Sequence, residues 1–268
     1  MTKTFVNTGF HIVDKRDLNL EIARGNVKGY TSIHKFGNAP DFDTGDGSVD
    51  IWDGAFDAGP DLMNYTYSAT ANIDSLSSSD DGDTVEIEVQ GLDANFDLVV
   101  QTVTLTGQTR AALTTDLIRV FRLKNVGATD LAGVVYCFVN VATTGGVPNT
   151  IANTRALICI GNNQTLMALF TIPNGCTGYM DSFEAAVAGA SKTAEYQIDL
   201  FARSDGGVFQ LKHRDSLQDT GTTNWRHSFK VPEVFQAKTD VAMRANLLTA
   251  NKTEANISAG FDLILIDN

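Results

Sequence analysis

The amino-acid sequence predicts an all-β protein: a jelly-roll-like β-sandwich over residues 65–268, preceded by an extended, irregular N-terminal arm over residues 1–64. Three observations carry this reading. From Tyr65 onward, short β-branched and aromatic runs alternate with turn residues, the pattern of closely spaced strands. Helical periodicity is confined to two brief stretches, Arg110 to Asp116 and Val234 to Ala237. Before Tyr65, single apolar residues are scattered among Gly9, Gly25, Gly29, Gly37, Gly45, Gly47, Gly54 and Gly59 with neither period sustained.

Taken in order, Thr84 to Val89 alternates polar and apolar residues, which places Val85, Ile87 and Val89 on one face of a half-buried strand. Gly91 to Asn95 is a turn-rich link, and Asp97 to Leu105 follows it as the second arm of a hairpin. Similar runs recur at Leu117 to Leu123, Gly133 to Val141, Ala156 to Ile160, Thr165 to Ile172 and Thr177 to Ala188. They continue at Glu195 to Arg203, Val208 to His213, Trp225 to Val231, Thr239 to Asn246 and Ala259 to Ile266. Pro173-Asn174-Gly175, Ser204 to Gly207 and Asp219-Thr220-Gly221 punctuate them, because glycine and asparagine tolerate positive φ. Strands this short and numerous favour two packed sheets.

Charge is segregated along the chain. No lysine or arginine lies between Lys35 and Arg110, yet fifteen of the 32 acidic residues do. The first 35 residues carry Lys3, Lys15, Arg16, Arg24, Lys28 and Lys35 against Asp14, Asp17 and Glu21. A basic arm before an acidic body suits contact with an acidic protein surface. The net charge of −12 argues against nucleic acid as a partner. No apolar run approaches a membrane span, and Met1 to Phe5 does not open a secretory signal. Cys137, Cys159 and Cys176 are odd in number and lack CxxC spacing, as expected of buried free thiols in a protein made in a reducing cytosol.

No catalytic signature has reliable spacing, so the chain reads as non-enzymatic and without a cofactor. Asp41, Asp43, Asp46 and Asp50 lie among glycines and are calcium candidates, but Gly45 occupies the third ligand position of an EF-hand and no closing glutamate follows. His213 and His227 fall in neighbouring predicted strands and could approach across a sheet, but zinc would need further ligands that the sequence does not identify. Trp52 and Phe56 sit in glycine- and acid-rich sequence. They suit anchors on a neighbouring subunit, or Trp52 caps the open end of its own sandwich. With Lys15, Arg16, Arg24, Lys28, Lys35 and Phe36 they make up the expected partner-binding set of the arm.

Three stretches carry a resemblance. His34-Lys35-Phe36-Gly37-Asn38-Ala39-Pro40-Asp41-Phe42-Asp43-Thr44-Gly45, followed by Asp50 to Gly54, resembles an N-terminal segment of structural proteins of tailed bacteriophages, especially marine ones. Val89 to Phe96 through Thr102 to Gly107, and Gly161 to Pro173, are similar to the same proteins. The resemblance implies a virion location, with assembly in a bacterial cytoplasm. It suggests a capsid decoration or cement protein, most simply a homotrimer, whose arm binds the major capsid protein. The alternative is a tail, connector or head-fibre component that binds a host receptor or glycan.

Overall fold

The computed structural model describes residues 4–5, 11–12, 17–42, 46–54, 64–188, 194–219, 222–248 and 255–268. In chain order come β1 (Thr4–Phe5), β2 (His11–Ile12), α1 (Leu18–Ala23), β3 (Tyr30–Phe42), β4 (Ser48–Asp50) and β5 (Ile73–Ser78). There follow β6 (Glu86–Leu92), β7 (Leu98–Thr104), β8 (Ala111–Leu117), β9 (Arg119–Asn125), β10 (Val135–Val139), β11 (Thr143–Thr144), β12 (Val147–Pro148) and β13 (Thr154–Ile158). The chain ends with β14 (Leu169–Thr171), β15 (Cys176–Ala188), β16 (Ala194–Arg203), β17 (Gln210–Asp219), β18 (Thr222–Phe235), β19 (Asp240–Leu247) and β20 (Ala255–Asp267).

Four larger sheets form two sandwiches. One long sheet has the order β18-β15-β20-β3, and a second has β14-β19-β16-β17 with β4 also paired to β19. From β3 to β20 the chain crosses between these two sheets at every step except the β16–β17 hairpin and the passage from β4 to β14, which lie on one line of the same sheet; this is jelly-roll connectivity. The other two sheets, β13-β10-β5-β8 and β7-β6-β9, are built entirely from residues between β4 and β14. They make a second sandwich, in which β9 packs against β13 and β7 against β8. The all-β sandwich reading therefore holds, with a second sandwich spliced into the first.

The splice interrupts a single strand. β4 pairs with β19 at Asp50↔Arg244 to Ser48↔Asn246, and β14 pairs with it at Leu169↔Ala242 to Thr171↔Asp240. Met243, between those registers, receives Ile51 N–H on its carbonyl at 3.0 Å and gives its own N–H to Ala168 O at 3.1 Å. The two halves are thus collinear. Where the chain leaves and returns, Ala168 N–H bonds Ile51 O and Asp53 N–H bonds Leu166 O, both at 2.9 Å, with Trp52 bridged to Met167.

This topology corrects the expected division at residue 64. β3 is an edge strand paired to β20 from Tyr30↔Ile266 to Phe42↔Ala255, and β4 pairs with β19, so both strands belong to the jelly roll itself. Its inward side carries Lys35, Gly37 and Ala39, all buried, instead of an alternating row of large aliphatics. The reason is contact distance: a Cβ on Gly37 would lie 2.2 Å from Ile51 O and 2.4 Å from Ala168 N. Pro40 is tolerated because the strand lies at an edge. Neither expected helix forms: the first is strand β8, and the second is the end of β18 followed by a turn at Ala237. Leu113 and Leu117 of β8 are buried at a two-residue period, and Val234 closes β18 opposite Tyr179. Pairing within a sheet overrides weak local propensity there.

A single buried cluster runs through both sandwiches and includes Trp52, Ile73, Leu92, Met167, Phe183 and Val241. Cys137 lies inside it. Burial raises the Cys137 thiol well above its ordinary pKa. The Cys159 thiol is pushed up to about 12 by burial and by Asp53, which leaves it protonated at neutral pH.

Candidate functional site

The expected arm residues divide sharply. Lys15, Arg16 and Phe56 lie outside the described residues, as does Asp43. Arg24 is exposed and pairs with Glu21 at 3.1 Å beside α1, and Lys28 follows in the turn before β3. Lys35 and Trp52 are interior, which corrects their placement on a partner-facing arm. Lys35 is 7 % exposed and donates to the carbonyl of Phe121 in β9. Trp52 is 1 % exposed and meets the Tyr65 ring edge-on at 5.1 Å. Of the calcium candidates, Asp41 falls in β3 and Asp46 just before β4. Asp50 is fully buried and already committed to Arg244 Nε at 2.6 Å and Tyr65 N–H at 2.8 Å, so it is not a loop ligand.

These interior groups form a polar joint between the sandwiches. Asp240 of β19 accepts Arg119 Nε at 2.8 Å and Nη2 at 3.1 Å from the inserted sandwich. It also accepts Arg203 of β16 at 2.5 Å and the Thr171 hydroxyl at 2.6 Å. Cations alternate with ring faces through this region. Arg119 lies 5.1 Å and Arg203 4.6 Å from the Tyr67 ring, while Arg203 and Arg244 lie 4.6 Å and 4.7 Å from Phe209. Weakly hydrated guanidinium groups suit such a buried stack. Burial alone would lower the Arg119 pKa, but the hydrogen bonds and charge of Asp240 outweigh it and raise it. Lys35 is lowered to about 7 by burial, with a smaller contribution from Arg122. Asp53 is raised to about 7 by burial. The strongly perturbed groups of the joint are thus spent on holding the insertion in place.

An open surface offers the binding geometry. On the outer face of the long sheet lies a trough of about 760 Å³. Registers define its rows: Arg226, Glu184, Gly260 and Phe36 stand side by side across β18, β15, β20 and β3, and Asn224, Ala186, Ser258 and Asn38 form the next. Gly260, Ala186 and Ser258 are short side chains on the two central strands and leave the floor of the trough open. A third row holds Ser228, Ser182, Asp262 and His34. Here Asp262 accepts His34 at 2.6 Å, Ser182 at 3.3 Å and Arg226 at 3.3 Å. A cavity of about 310 Å³ continues from this row to Asn19 and Ile22 of α1. Among the described residues of the expected binding set, Phe36 is the one at this surface. The other trough residues are spread over four strands, and no local motif marks them.

No family model matches the chain, and no curated protein matches it. Among solved structures, a particle of infectious bursal disease virus strain Gx aligns at 9 % identity over 89 % of this chain and 71 % of that chain, with a TM-score of 0.24. The strain Gt particle aligns at 8 % identity over 90 % and 77 %, with a TM-score of 0.21. The VP2 subviral particle of the same virus gives 7 % identity over 90 % and 77 %, with a TM-score of 0.18. Similarity at that level defines neither a fold nor a role.

Proposed function

We propose that the chain is a non-enzymatic structural protein of a virion, and within that class a capsid decoration or cement protein that binds the major capsid protein and stabilises the head. The observation that carries this reading is the jelly roll with a second sandwich spliced into one of its strands. Jelly rolls recur in viral capsid and lectin domains, and the polar joint suits a rigid, load-sharing body. The stretches that resemble phage virion proteins agree with it. Asp50 to Gly54 and Gly161 to Pro173 meet at the neck of the insertion, and His34 to Phe42 is the strand beside it. What is shared with those proteins is then body architecture, and fold alone does not imply activity.

Partner contact falls to the residues before β3. On α1 only Ile22 is buried, while Leu18 and Leu20 are 58 % and 54 % exposed. Trimeric assembly in the bacterial cytoplasm completes the proposal. The second reading, a tail, connector or fibre component that binds a host glycan, is favoured by the trough, where Phe36 adjoins hydroxyl, amide, carboxylate and guanidinium groups. Cryo-EM of the particle separates the two. Density at hundreds of copies over the shell, lost with Leu18→Asp/Leu20→Asp, fits the cement role; density at one vertex or the tail overturns it.

A further inference from the structure

β17 and β18 end the two jelly-roll sheets on the same side and belong to different sheets. His213 and Asp215, two residues apart on β17, share one face of that strand, as the two-residue period of a strand requires. His227 approaches from β18. The two imidazole centroids are 4.2 Å apart, and His213 Nε2 lies 2.6 Å from Asp215 Oδ2. One ligand atom from each of the three residues lies within 4.8 Å of the other two. Phe183, Trp225 and Phe229 surround the pair of rings, with Phe183 and Phe229 centred 5.4 Å and 4.7 Å from His227. His213 and Asp215 keep 28 % and 29 % exposure, so the cluster is walled by aromatics and open to solvent on one side.

We propose that His213, Asp215 and His227 bind a single divalent transition-metal ion of the zinc class, clamping β17 of one sheet to β18 of the other. Two imidazoles and a carboxylate are borderline donors that suit zinc and disfavour calcium or magnesium. Bonds of about 2.0–2.1 Å in tetrahedral geometry place ligand atoms about 3.4 Å apart. Three atoms within 4.8 Å reach that by small side-chain rotations. The ion takes the place of the His213–Asp215 hydrogen bond, whose proton leaves to solvent, and a fourth position faces solvent.

The test is titration of the chelator-treated full chain with zinc chloride by calorimetry, and with cobalt chloride by visible absorption. One equivalent should bind saturably, with four-coordinate cobalt spectra. At 100-fold free zinc over Kd the thermal midpoint should rise by about 5 to 10 °C. His213→Gln and His227→Gln should each weaken binding at least about 100-fold, while His34→Gln, at the other histidine–aspartate pair, should not. Zinc-edge X-ray absorption of the wild-type complex should show two imidazole ligands, a readout independent of whether a variant folds. Absence of one-equivalent binding, affinity unchanged in both His213→Gln and His227→Gln, or a first shell without imidazole overturns the proposal.

Discussion

Replacing Asp240 by alanine removes the one carboxylate that both Arg119 and Arg203 share, and the cost follows from what it leaves behind. The Asp240 and Arg119 side chains are 3 % and 8 % exposed, so the guanidinium keeps its charge in the interior with only the carbonyls of Ser68 and Ile118 as acceptors. Arg203, at 24 % exposure, can turn partly to solvent. Breaking a buried pair from one side costs about 3–5 kcal/mol, against a total stability of about 5–15 kcal/mol. For a chain of this size that lowers the thermal midpoint by roughly 6 to 20 °C. Denaturant unfolding should be followed by tryptophan fluorescence, because Trp52 stands at the neck of the insertion and Trp225 at the far edge of the jelly roll. In a Trp225→Phe background, Asp240→Ala should bring the Trp52 transition to lower denaturant. Glu184→Ala, which removes an exposed partner of Arg226, should cost no more than about 1 kcal/mol. A loss below about 1 kcal/mol for Asp240→Ala would refute the claim that this ion pair holds the two sandwiches together.

Three further outcomes test the interior. Lys35 falls from 10.5 to about 7 on folding, so its contribution to stability is full above 10.5 and is lost as pH drops to 7. Asp53 rises from 3.8 to about 7, so its contribution is present below 3.8 and lost as pH climbs to 7. Together they dig a minimum near neutrality, each limb on the order of 4 kcal/mol. Differences in denaturation free energy between wild type and Lys35→Met should shrink from pH 7 to 10, and those for Asp53→Asn should grow from pH 4 to 7; flat differences would contradict the burial. Gly37→Ala drives a methyl group into the Ile51–Ala168 hydrogen bond and should cost about 3 kcal/mol, at the upper end of overpacking; a calorimetric midpoint equal to wild type would show that β3 does not approach the neck. Deleting residues 1–42 strips the edge strand from β20 and should give insoluble protein, whereas a soluble monomer with native circular dichroism would restore the division at residue 64.

Local pattern accounts for much of the body. β6 and β7 were legible because Ile87 and Val89 alternate with polar residues and turn residues follow, although the turn itself falls at Asp93 to Asp97, with Gly91 and Leu92 still in the strand. β15, β16 and β20 each present buried residues at the two-residue period along most of their length, while β19, central in its sheet, is buried on both sides from Asp240 to Met243. β3 escaped the same reasoning. A strand whose inner face meets backbone uses glycine and alanine there, and a buried lysine reads as an exposed one until its acceptor is known. The candidate trough was equally silent, because a sheet face is assembled from the outward residues of four strands, and no single strand's sequence marks its share.

Side-chain pattern alone is enough to read this protein as all-β with a jelly-roll-like sandwich and to put two histidines on consecutive strands; of the three thiols read as buried, Cys137 is buried while Cys159 and Cys176 are only partly so. Those properties rest on side-chain alternation, composition and turn chemistry, which act over a few residues. The splitting of one strand by a second sandwich becomes visible only once the chain is folded. Folding also placed Lys35 and Trp52 inside, paired Arg119 with Asp240 across 121 residues of chain, and brought Asp215 beside both histidines. Each of these depends on which strands become neighbours, and that choice is made by burying the whole core at once.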